Sequence, residues 1–137
     1  MLELYSDGLE LLYDVLQRVE ASKFEEAERM YNLIRFMVNS IKTTINVKRW
    51  HILKTSLAES CDDEKIVSML KIAKDELLNA FDTIPLVELD SRLGYEPSME
   101  YIGDKSHIEW KIKVTREAVE NELLPLLKDK SIAEGIW

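Results

Sequence analysis

Cysteine is nearly missing from this chain of 137 residues. Cys61 stands alone, so no disulfide can close within the chain, and a reducing compartment suits it. Glycine and proline are scarce too, at 4 and 3, which is too few for a sandwich or barrel built on many turns. No apolar run nears the ~20 residues that a membrane-crossing helix needs. The opening MLELYSDGLE lacks a basic stretch followed by an apolar core, so it does not read as a secretory signal. An excess of positive charge is also absent. The formal net charge is −8, and phosphate binding rests on clustered Lys and Arg. The expectation is a cytoplasmic protein that binds neither nucleic acid nor a membrane.

What the chain does have is amphipathic helix. Hydrophobic residues make up 46% against 32% charged, a balance that supports a buried core in one domain spanning 1–137. Ser6 is a candidate cap for a first helix carrying Leu9, Leu12, Leu16 and Val19. Ser22 and Glu25 make an S-x-x-E capping box for a second. That second helix runs from about Lys23 to about Ala58, with Phe24, Ala27, Tyr31, Ile34, Val38, Ile41 and Ile45 at alternating spacings of three and four. Met30, Tyr31 and Met37 read as core. Near Lys48 the pattern passes to Val47, Trp50, Leu53 and Leu57, so either the partner surface changes there or the helix bends. A third helix carries Ile66, Leu70, Ala73, Leu77, Ala80 and Ile84 as far as Pro85. Pro85 and Gly94 then suit the first position and the end of a short restarted helix. Asp104 suits the cap of the last long helix, with Ile108, Ile112, Thr115, Val119 and Leu123 inside. Pro125 kinks or ends it, and a loose tail follows, although Ile136 and Trp137 favour burial. The fold class expected is all-α, an antiparallel bundle of four main helices with a long second helix and an ordered loop over about 85–104.

Motifs that carry chemistry are few. Neither His51 nor His107 follows a Glu by three residues, as di-metal carboxylate bundles require, so no metal site is expected. Cys61 sits among carboxylates that disfavour its thiolate. No Gly-rich phosphate loop, nucleophile elbow or CxxC pair occurs, and no catalytic residue or cofactor is assigned. The stretch KTTINVKRWHILK, Lys42 to Lys54, holds four positive residues and no acid, whereas 85–104 holds five acids and one base, a net of −4. Pairing between these two segments is the expectation.

The segment DSRLGYEPSMEY holds the candidate site. Helix–helix links usually run to about 2–8 residues, so a longer ordered one suggests a role. Arg92 offers a planar fork of donors, Asp90, Glu96 and Glu100 offer acceptors, and Tyr95, Tyr101 and Trp110 offer flat faces on which a sugar ring would stack. The plainer explanation is that the same groups tie the loop to the bundle, as most polar constellations do. The run DSRLGYEPSMEYIGDKSHIEWKI resembles a segment near the end of large, mostly uncharacterised bacterial proteins, some of which are similar to glycoside-processing enzymes; the likeness covers about Ile84 to Ile112. It implies that the chain is the helical C-terminal portion of a longer protein, beside a catalytic domain, and it transfers no catalytic residue.

Two function classes follow. One is a non-catalytic accessory helical domain of a carbohydrate-active protein, with the catalytic domain of the parent chain and a sugar ligand as partners. The other is a stand-alone interaction module that pairs with itself as a homodimer or binds a partner helix through a surplus apolar face at Met30, Leu33, Met37 and Val47. A free-standing enzyme using Glu96 and Glu100 as paired carboxylates comes third, since nothing else in the chain completes such a site. No second copy of FEEAERMY appears at a repeat period.

Overall fold

Helical periodicity carries through to the architecture. In a computed structural model, which describes residues 1–95, 100 and 103–137, the chain forms α1 (Leu2–Leu16), α2 (Phe24–Glu59), α3 (Asp63–Leu89) and α4 (Lys105–Ala118). No strand is found among the described residues, and the all-α bundle stands. Consecutive helices run antiparallel. Lys65, at the start of α3, reaches the carbonyls of Ser56 and Ser60 at the end of α2 (3.1 and 2.9 Å), while Arg35 in the first third of α2 meets Asp82 late in α3. α3 is the central element, with α2 on one flank and α4 on the other, and α1 packs on α2.

The core lies along α3 in two parts. Ile66, Met69, Leu70 and Ala73 meet Val119, Leu123 and Leu127, with Trp50, Leu53 and Leu57 of α2 packed against them. The partner surface of α2 thus does change near Lys48. Further along, Leu77, Ala80 and Val87 meet Ile108 and Ile112. Each such side chain taken fully out of water contributes roughly 1.5–3 kcal/mol. Trp137 packs against both parts, so the tail, which includes a 3-10 turn over Lys130–Ala133, is anchored rather than loose.

Several local expectations need correction. α1 starts at Leu2, which puts Ser6 inside the helix rather than at its cap. Ser22 lies in a 3-10 turn, Ala21–Lys23, and α2 begins without a side-chain cap; the turn's own backbone bond, from Lys23 to Glu20 at 2.8 Å, takes up the amide. α3 does not stop at Pro85 but continues to Leu89, so the link before α4 is shorter than 85–104. Pro85 is exposed, while Leu86 and Val87 just after it are buried, and their burial outweighs the missing amide donor. Instead of a restarted helix there is a 3-10 turn, Ser91–Gly94. Met30 is exposed rather than core, and Met37 is half-buried.

The cap expected at Asp104 forms, and α3 carries one of the same kind. Asp62 accepts from the Lys65 amide and Asp104 from the His107 amide, both at 2.9 Å. After α4 the chain widens into a π turn over Val119–Leu123 and then a 3-10 turn, Leu124–Leu126, where Pro125 ends the helical run.

Candidate functional site

The loop before α4 places its candidate residues unequally. Asp90 closes α3 and holds Arg92 through two hydrogen bonds, from Nε at 2.8 Å and Nη2 at 2.6 Å. Chiefly because of that side-chain contact, the Asp90 carboxyl is brought down to about 2. The guanidinium fork that would take a ligand carboxylate is therefore engaged within the loop. Tyr95 and Glu100 are exposed, and so is Trp110 on α4, with 65% of its surface open. Glu96 and Tyr101 lie outside the described residues. The structure thus brings Asp90 and Arg92 together, in a cleft of about 420 Å³ whose far wall is Glu25, Glu28 and Arg29 of α2.

That cleft also explains why the basic stretch of α2 does not serve the loop. With α2 and α3 antiparallel, Leu89 to Leu93 lie opposite the first third of α2, whereas Lys42 to Lys54 lie further along. Among the described residues Lys48, Arg49 and Lys54 make no ion pair. The acids of the loop region have other partners: Asp90 has Arg92, Glu88 has Lys105 at 2.8 Å, and Asp104 has the start of α4.

Between α2 and α3 runs a polar ladder. Arg35 binds Asp82 through both ends of its fork, one of them at 3.1 Å. Asn39 donates to Asp82 at 2.9 Å and to Thr83 at 3.0 Å. Asn79 donates to the Asn39 carbonyl at 2.9 Å and to Thr43 at 3.0 Å. The Thr43 hydroxyl and Asn46 then donate to Glu76, at 2.7 and 2.9 Å. Burial pulls the Asp82 carboxyl upward, and the bonds from Arg35 and Asn39, with the charges of Arg35 and Lys42, more than offset it, so it ends below its ordinary range. From α4, Lys111 completes the set on Glu76. Beside Glu76 lies an apolar groove of about 250 Å³ between α2 and α4, lined by Val47, Trp50, Ile72, Ala73 and Val114.

α1 carries uncovered apolar surface along its length. None of its residues is buried. Leu2, Tyr5, Leu9, Leu12, Leu16 and Val19 are half-buried, which is the face laid on α2. A second stripe, Met1, Leu4, Gly8, Leu11 and Val15, has the same three-four spacing, and its Leu4, Leu11 and Val15 are 72, 68 and 55% exposed. On α2, Met30 and Leu33 are exposed as well. At about 100° per residue, Met30 and Met37 fall on the flank of α2 opposite Arg35, Asn39 and Asn46, and so away from α3, whereas Leu33 lines the cleft shared with Leu89 and Leu93. Tyr13 and Tyr31, with ring centroids 5.9 Å apart, close the seam between α1 and α2 on one side. The same projection puts Leu4, Leu11 and Val15 with Met30 on its other side, as an apolar strip that reaches from α1 onto α2.

Among the described residues no group of three or more His, Cys, Asp or Glu is arranged to hold a metal ion, and no helix is long and apolar enough to cross a membrane. Comparison with family models, curated proteins and solved structures found no match.

Proposed function

We propose that this chain is a helical protein-interaction module, non-catalytic by itself, that receives a helix of another protein along the outer seam of α1 and α2. One observation carries this reading: α1 presents two apolar stripes at helical spacing, and among the described residues only one of them is laid on another helix. A helix laid in an apolar seam reads the same three-four spacing that the stripe displays. Exposed apolar strips of this kind mark interaction surfaces on water-exposed proteins. The test is the size of the native complex. The wild-type chain should travel with a partner, and a Leu4→Glu/Leu11→Glu variant with unchanged helicity should travel alone. A complex that survives both substitutions would sink the reading.

The accessory-domain reading remains as a second proposal, supported by the open indole of Trp110 and by Tyr95 near it in sequence. If it holds, a sugar ligand should perturb the fluorescence of the wild-type chain but not of a Trp110→Phe variant.

A further inference from the structure

Resting on the interaction-module reading, we infer that the occupant of the α1–α2 seam is a cationic amphipathic helix of another protein. The argument comes from the charges that border the strip. Glu3, Asp7, Glu10 and Asp14 stand one residue ahead of Leu4, Gly8, Leu11 and Val15, so an acidic row follows the apolar one at the same pitch. All four acids are exposed. On the α2 side, Glu26 stands one turn before Met30 and is exposed too. Positive charge near the strip is limited: Arg18 lies 4.0 Å from Asp14, Arg29 donates to Glu25 at 2.6 Å, and Lys23, two turns before Met30, is exposed. A helix with leucine-like residues on one face and Lys or Arg along both edges would bury the strip and set its cations against Asp7 and Asp14 on one side and Glu26 on the other.

The same border selects against other occupants. A second copy laid antiparallel on the seam would bring Asp7 and Asp14 of one chain against Asp14 and Asp7 of the other, and like charges face to face are costly at an interface. An anionic lipid surface would meet the same acidic row. Charge thus chooses the partner, and the apolar strip supplies the contact.

The experiment uses the full chain and two synthetic helical peptides with an identical leucine stripe, one flanked by Lys and the other by Glu, titrated by fluorescence anisotropy. The Lys peptide should bind about tenfold or more tightly than the Glu peptide at low salt, and the gap should narrow as salt screens the charges. In an Asp7→Lys/Asp14→Lys variant the preference should reverse. In Leu4→Glu/Leu11→Glu both peptides should lose binding; because these side chains are exposed, the variant keeps its fold, as circular dichroism will show. Equal binding of the two peptides, with the leucine variant still impaired, overturns the cationic partner and leaves the docking surface standing. Binding that ignores the leucine substitutions overturns both. A dimer that Leu11→Glu dissociates, or stripe-dependent binding to phosphatidylglycerol vesicles, assigns the seam to a second copy or to lipid and overturns the proposal.

Discussion

Lys111 of α4 donates to Oε1 of Glu76 in α3 at 2.5 Å, although the residues lie on different helices and Glu76 is only 8% exposed. Thr43 and Asn46 of α2 donate to the same carboxylate. One side chain thereby ties together the three helices that enclose the core. A buried carboxylate needs donors in place of the water it has lost.

Lys111→Met should therefore destabilise the fold by about 2 kcal/mol. That is less than breaking a fully buried pair, because the lysine is partly exposed and two donors remain. Glu76→Leu combined with Lys111→Met should recover part of the loss. Denaturant unfolding of the two single variants and the double variant checks this, and strict additivity would contradict the contact.

Arg35 and Asp82 should couple more weakly. Both are about one-third exposed, so a double-mutant cycle of Arg35→Ala and Asp82→Ala should give roughly 1 kcal/mol after screening. Asp82→Ala should cost more than Arg35→Ala, since Asn39 also loses an acceptor.

Acid should loosen the start of α4. The Asp104 carboxyl is held at about 2, against a model-peptide value of 3.8, first by the His107 amide and then by the side chains of His107 and Ser106. A lowered carboxyl contributes stability in full above the unfolded value and loses it as pH falls through the folded one. The loss belongs between about pH 4 and pH 2. Asp104→Asn keeps a capping oxygen but removes the titration, so its stability should vary less with pH over that window. A proton titration followed by NMR on Asp104 gives the direct reading.

Gly8 sits in the outer stripe of α1, and a Cβ built there meets nothing within 4 Å. Gly8→Ala should stabilise α1 by about 0.5–1 kcal/mol. Hydrogen exchange is the measurement. The amides of α1 should exchange sooner than those of α3, because no α1 residue is fully buried, and the substitution should slow them selectively.

Much of this fold is legible from spacing alone. The extent of α2, the cap at Asp104, the inner face of α4 and the end at Pro125 all follow from periodicity and residue type. What stayed hidden depends on partners. Arg35, Asn39, Thr43 and Asn46 look like the wet side of an amphipathic helix until Glu76, Asn79 and Asp82 are placed opposite them. The second stripe of α1 is masked because Gly8 interrupts it. Pro85 signals a helix start by local rules, and only the burial of Leu86 and Val87 reverses that. In the candidate loop Arg92 and three acids stand out by type, but that Asp90 is the one that holds Arg92, and which third of α2 they face, depends on where α3 ends.

The ladder between α2 and α3 has a consequence for alignment. Oily helix faces tolerate sliding, since one aliphatic contact resembles the next. Here a slip of one turn, about 5.4 Å, would strand Glu76 and Asp82 without their donors, so the two rods behave like a keyed shaft. The alignment of α3 along α2 is then one setting rather than an average over many, and Asp90 and Arg92 at the end of α3 are held at a constant place beside Glu25, Glu28 and Arg29.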